Sequence, residues 1–219
     1  MKTMQKTREK TRKLVVAGML SAVTMVLGLT PLGIIPIGPL NATILHVPVI
    51  IGAVLEGPVV GFVIGLIFGL FSLYRAAVGG SVLAPLFLNP VVTILPRVLI
   101  GPVAYYVFRG ISHLTRKRAL SVGAAAVAGT LTNTIGVMGL IFILYAQQYA
   151  DLMGISRQGV GLAILSASAV NGIPECILAA VVTVAVVLAV WKLTGSGPHS
   201  GEPHNGGATP PERESPRKG

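Results

Sequence analysis

Charge is what this sequence has least of. Only 11% of its 219 residues are Asp, Glu, Lys or Arg, while 53% are hydrophobic; soluble domains carry about 25% charged residues. Acidic groups are scarcest, seven in all. Three of them, Glu56, Asp151 and Glu175, fall in or near apolar stretches but at different levels, which excludes a carboxylate proton relay or a paired-aspartate membrane protease. One cysteine, Cys176, excludes an internal disulfide. No G-x-x-x-x-G-K-[ST] phosphate loop occurs, so this chain cannot hydrolyse ATP by that route. H-E-x-x-H and G-x-S-x-G are missing too. No sequence repeat relates the two halves, which argues against an inverted-repeat transporter. Aromatic residues make up only 5%.

What the sequence has is long uncharged runs. No Asp, Glu, Lys or Arg occurs in the 42 residues from Leu14 to Leu55, or in the 32 from Ala119 to Ala150. Runs of 18 or more apolar residues read as membrane helices, and a water-soluble fold could not cover itself with so little polar surface. The pattern predicts an all-α integral membrane protein with six transmembrane helices. They cover about 14–29, 47–55, 59–74, 85–108, 120–145 and 160–191. The first is read as a retained helix, because no small-x-small cleavage site follows it. The second, about nine residues, spans only by tilting or extending. Residues 1–13 form a basic arm, 14–193 the membrane domain, and 194–219 a tail rich in Gly, Pro and Ser that should be disordered. His199 and His204 in that tail are too isolated to make a metal site, and no metal or cofactor is expected.

The net charge of +10 does not indicate nucleic acid, since the basic residues form blocks beside apolar spans and leave no basic face. Six lie within the first thirteen positions, and Arg116, Lys117 and Arg118 form a second block. With six passes, 14 of the 17 Lys and Arg fall on the side of the termini and only Arg75 and Arg157 on the other. That asymmetry makes both termini cytoplasmic and facing anionic lipid.

Arg97 is the exception, placed within the fourth predicted span. Counted from a helix start near Pro85, it lies roughly 18 Å deep at 1.5 Å per residue. Asn133, Asn171 and Glu175 fall at a similar depth in the fifth and sixth spans. Intramembrane ionisable residues are functional candidates by default. Two readings stay open: an Arg97–Glu175 ion pair with the asparagines as interhelical glue, or a polar pocket for a small carboxylate ligand. Pro90, Pro96, Gly172 and Pro174 would interrupt the helices beside it. Asn41, Thr43, His46 and Asn89 are candidates for its outer rim, with Tyr145 and Gln148 at the end of the fifth span. His46 also reads as a helix cap, and Tyr145 as an interfacial anchor. Gly57, Gly61, Gly65 and Gly69 form a small-residue stripe for close helix approach, with the partner unspecified.

Four strings resemble a known family. They are Pro36-Ile-Gly-Pro-Leu-Asn-Ala-Thr-Ile-Leu-His-Val-Pro-Val-Ile-Ile-Gly52, Asn89-Pro-Val-Val-Thr-Ile-Leu-Pro-Arg97, Gly129-Thr-Leu-Thr-Asn-Thr134 and Asn171-Gly-Ile-Pro-Glu175. Together they resemble the substrate-binding S components of energy-coupling factor vitamin transporters, over about 11–193. The resemblance implies a six-helix bundle in a prokaryotic plasma membrane that takes a vitamin from outside. It is not an enzyme, and it works with a transmembrane scaffold subunit and two ATPase subunits. Substrate-binding residues would then be Asn41, His46, Asn89, Arg97, Asn133, Tyr145, Asn171 and Glu175. The family docks through an Ala-x-x-x-Ala pair on the first helix, for which the nearest matches here are Ala17/Ser21 and Gly18/Ala22. The strings look most like pantothenate and folate members. One deep arginine with amide neighbours suits pantothenate, and few aromatics disfavour folate or riboflavin. A lipid-acting membrane enzyme using Arg97, Glu175 and His46, or an assembly protein held by the glycine stripe, are the readings from other classes.

Overall fold

The computed structural model describes residues 2–30, 33–37, 40–79, 82–115 and 117–195. Eight helices carry most of them: α1 Lys2–Leu29, α2 Val47–Glu56, α3 Pro58–Val78, α4 Ala84–Phe87, α5 Pro90–Thr93, α6 Leu95–Leu114, α7 Arg118–Met153 and α8 Val160–Thr194. Among the described residues, five stretches are long and apolar enough to cross a membrane: Lys6–Leu29, Pro58–Val78, Pro90–Leu114, Arg118–Met153 and Arg157–Thr194. The basic arm is part of α1, in one continuous helix. The expected disordered tail lies outside the described residues beyond Gly195.

Three expectations are corrected. First, the loop after α1 contains an antiparallel hairpin, β1 Ile34–Ile37 with β2 Leu40–Thr43, in which Ile34 faces Thr43 and Pro36 faces Asn41. The fold is therefore helical with one small β element. Second, the fourth span is not one helix from Pro85. Proline restricts the residue before it to extended backbone and donates no N–H, and Asn89 before Pro90 is extended at φ −75°, ψ 118°. The chain takes two short turns, α4 and α5, before α6 begins. Arg97 is thus the third residue of α6, and the depth counted from Pro85 does not apply. Third, Gly172 and Pro174 do not interrupt α8, which runs through Pro174.

α2 is short because it is enclosed. From Val47 to Val54 every residue is buried, and the helix packs on α1, α3, α6, α7 and α8. Its ten residues rise about 15 Å, half the hydrocarbon thickness. Gly57 turns the chain into α3 at φ +101°, a left-handed conformation that favours glycine. It is a corner, not part of the helical stripe.

The other three stripe glycines have their partner within the chain. A Cβ on Gly61 would come within 2.8 Å of the Gly101 Cα, one on Gly65 within 3.2 Å of the Val98 Cα, and one on Gly69 within 3.0 Å of the Ile94 Cα. The declining partner numbers make α3 and α6 antiparallel with backbones in close approach. The same reading sets α6 antiparallel to α7, from Ile100 at Gly129 and Pro96 at Gly136, and α7 antiparallel to α8, from Val184 at Gly123 and Thr134 at Gly172. α2 runs against α3, with Ala53 at Gly61, and α1 runs along it, with Arg12 bonded to Glu56 and Phe71 at Gly28. Chain direction therefore alternates along α1, α2, α3, α6, α7 and α8.

Two apolar clusters result. One gathers α2 with Phe68, Ile100, Phe108, Val122, Ala126, Ala179 and Trp191. The other holds Leu86, Val92, Val137, Ile141, Tyr149, Val160 and Ile164. Between them, α6 contributes Arg97, α7 contributes Thr130 and Asn133, and α8 contributes Asn171 and Glu175.

Candidate binding site

This seam brings four of the expected site residues to one level. Pro96 at Gly136 and Ile100 at Gly129 put Arg97 beside Asn133, and Gly172 at Thr134 puts the Glu175 turn of α8 there too. Arg97 is 8% exposed and His46 not at all. The Arg97 guanidinium lies between the rings of Phe68 and Phe87, its Cζ 5.8 Å from each centroid, an arrangement in which both ring faces attract the cation. Nη1 donates to the Val92 carbonyl at 3.0 Å, an acceptor that Pro96 leaves without its helical N–H. Nε has no hydrogen-bond partner among the described residues.

Glu175 does not pair with Arg97. Its Oε1 accepts from the Thr43 amide at 2.9 Å and the Thr43 hydroxyl at 2.8 Å, tying the last residue of β2 to α8. Of the two open readings, the Arg97–Glu175 ion pair is therefore not formed; among the described residues the ion pair is Arg12–Glu56, which joins α1 to the end of α2. Glu175→Ala would leave the Thr43 N–H without its acceptor, at a cost of about 1–3 kcal/mol. The expected result is local: the Thr43 amide exchanges hydrogen about ten to a hundred times faster, with the α6–α7 core unchanged. Equal acceleration throughout the bundle would show that the carboxylate holds more than the hairpin.

His46 precedes α2 but its side chain caps nothing, so the cap reading fails. Nε2 lies 2.9 Å from the Thr130 hydroxyl, which itself donates to the Ala126 carbonyl at 2.9 Å. Nδ1 has no partner among the described residues, and neither has Asn133 Oδ1. Asn171 is half-buried one turn before Glu175, on the same face.

Asn89 and Tyr145 form a separate outer pair. Asn89 Oδ1 caps the Val91 amide at 2.9 Å, and its Nδ2 donates to the Tyr145 hydroxyl at 2.8 Å. Tyr145 stands at a kink in α7, at φ −133°, ψ 22°, about 18 Å along the helix from Asn133. Asn41 lies in β2 opposite Pro36. On α1, Ala17 and Ser21 face the core at 6% and 4% exposure, whereas Gly18 and Ala22 are exposed, with open space where a Gly18 Cβ would be.

Sequence reasoning missed Phe68, Phe87 and Thr130. No spacing marks Phe68 and Phe87, on two different helices, as neighbours of one arginine. Thr130 lay inside the quoted Gly129–Thr134 string and could have been found by asking which hydroxyl on α7 faces His46.

The sequence pattern defining the family described as ECF transporter, substrate-specific component matches residues 12–187. The chain belongs to this family. It is a membrane-embedded transport component and not an enzyme. Among curated proteins, it is 30% identical over 168 residues to the pantothenic acid transporter PanT of Lactococcus lactis subsp. cremoris strain MG1363, a match covering 70% of this chain and 80% of that one. It is 29% identical over 187 residues to the pantothenate transporter PanT of Leuconostoc mesenteroides subsp. mesenteroides, covering 81% and 91%.

Proposed function

We propose that this chain captures pantothenate from outside the cell and delivers it through a separate energising module, made of a transmembrane scaffold subunit and two ATPase subunits. The observation that carries the cargo reading is the buried Arg97 guanidinium, whose Nε has no partner among the described residues and lies in a seam of acceptors. A buried cation lacking a counter-ion calls for an anion, and pantothenate brings one carboxylate with hydroxyl and amide groups. The names of the two PanT relatives point the same way. Arg97, Asn133, His46 and Glu175 form the inner part of the site, with Asn171 and Asn41 beside it and Asn89 and Tyr145 at its mouth. Alternating helix direction supports six passes with the start of α1 and the end of α8 on one side, the hairpin and α2 together making the second pass. The bias of basic residues makes that side cytoplasmic.

Calorimetry on detergent-purified protein, titrated with pantothenate, folate and riboflavin, tests this directly. Submicromolar binding of pantothenate alone is expected; preference for another vitamin, or none, overturns the cargo assignment.

The outward Gly18/Ala22 face is the docking surface for the scaffold, in place of Ala17/Ser21. Gly18→Leu fills open space, so vitamin binding should stay within about twofold, the ordinary range for a surface substitution. Uptake into cells and co-purification of the ATPases should both be lost. Retained uptake would move the docking face elsewhere.

A further inference from the structure

The His46–Thr130 pair has a polarity that the capture role alone does not assign. The Thr130 hydroxyl lies 2.9 Å from the Ala126 carbonyl within α7, a group that can only accept, so its one hydrogen has a partner there without the imidazole. With the hydrogen so placed, the Thr130 oxygen facing His46 at 2.9 Å accepts. In that arrangement the imidazole proton sits on Nε2, and Nδ1 of the neutral ring is a bare acceptor. That atom is fully buried with no partner among the described residues, in a side chain with no exposed surface. Orphaned buried acceptors are rare enough that each asks for a reason.

Its surroundings supply one. Arg97 is one turn before Ile100, which packs at Gly129 next to Thr130, and Asn133 is one turn from Thr130 on the same face of α7. The layer thus holds two unpaired acceptors, His46 Nδ1 and Asn133 Oδ1, beside one unpaired donor, Arg97 Nε. A ligand that satisfies all three must bring an acceptor for the arginine and hydrogen-bond donors for the other two. A carboxylate alone cannot do this, because an ionised carboxylate offers no donor.

We propose that His46 is a specificity-determining residue that accepts a hydrogen bond from a hydroxyl of the cargo through Nδ1, and that Thr130 is the positioning residue holding the imidazole in the required tautomer. This rests on the pantothenate reading above and adds to it the group that reads the diol end. Without Thr130 the proton is free to move to Nδ1, where the ring would repel the same hydroxyl hydrogen. Simple carboxylates of similar length would meet Arg97 and leave two acceptors unpaired, a discrimination that an apolar pocket could not make.

The test is a cycle between protein and ligand on the purified full chain, using pantothenate and its two monodeoxy analogues, each lacking one hydroxyl. His46→Phe should weaken pantothenate by about ten to a hundredfold. Against the analogue missing the hydroxyl that His46 reads, the same substitution should cost less than about threefold, because the partner is already gone. Thr130→Val should weaken pantothenate several-fold and Thr130→Ser restore it. Nitrogen-15 NMR of the histidine rings should show His46 protonated at Nε2 in the unsubstituted protein and lose that preference in Thr130→Val. An equal loss for all three ligands, or a proton on Nδ1 in the unsubstituted protein, overturns the proposal while leaving pantothenate capture intact. Failure of the unsubstituted protein to bind pantothenate overturns the cargo reading instead, and this proposal with it.

Discussion

Arg97→Met should abolish pantothenate binding and leave the protein at least as heat-stable as before. Truncating one partner of a buried charge pair costs about 2–5 kcal/mol of binding, so calorimetry should show at least about a thirtyfold loss. Stability should move the other way. Among the described residues the guanidinium makes one hydrogen bond, to the Val92 carbonyl, and lies over the rings of Phe68 and Phe87. Its Nε is buried unpaired, and no carboxylate among the described residues forms an ion pair with it. Methionine fills nearly the same volume between two rings, where sulfur–aromatic contact is favourable, and apolar replacement of a buried charge is often neutral or stabilising. The assembly-protein reading, in which this residue is structural glue, requires the reverse: a lower unfolding midpoint with no ligand affinity to lose. Arg97→Lys keeps the charge but not Nε or the planar stack, and belongs between the two.

The level of the site was legible in the sequence, although part of the reasoning that reached it does not hold. Counting residues from Pro85 assumed a continuous helix, which Pro90 and Pro96 prevent. Arg97 still lies level with Asn133 because α6 and α7 are packed antiparallel, with Gly136 admitting Pro96 and Gly129 admitting Ile100 and Ile50. Helix positions were readable because each long apolar run has few alternatives in a membrane. The pairing within the seam was not. Glu175 was free to choose between Arg97 and a backbone amide, and that choice depends on a hairpin brought in from 132 residues away. The Ile34–Ile37 and Leu40–Thr43 strands fall between the first two predicted spans and were not legible, since four-residue strands carry almost no periodic signal. The direction of α1 was equally hidden: Ala17/Ser21 and Gly18/Ala22 are both small pairs, and only packing reveals which one faces outward.

Gly101→Val should produce the largest loss of stability of any single substitution in the bundle. A Cβ on Gly101 would come within 2.6 Å of the Gly61 Cα, and one on Gly61 within 2.8 Å of the Gly101 Cα. Backbone faces backbone from both sides, so no flexible side chain can yield, and α3 and α6 must separate. Overpacking of this kind costs about 3 kcal/mol, or about 6–12 °C in the unfolding midpoint for a chain of this size. Gly110→Ala in the same helix meets open space and should be neutral or gain up to about 1 kcal/mol from helix propensity. Gly65→Ala separates stability from function. Its Cβ would press on the Arg97 carbonyl, so the displacement falls on the residue whose guanidinium must sit between Phe68 and Phe87. Pantothenate affinity should therefore fall by more than the change in midpoint accounts for. Equal losses in both would mean that the close approach of α3 and α6 serves packing alone. A loss confined to binding would mean that the glycine at 65 sets where the arginine stands.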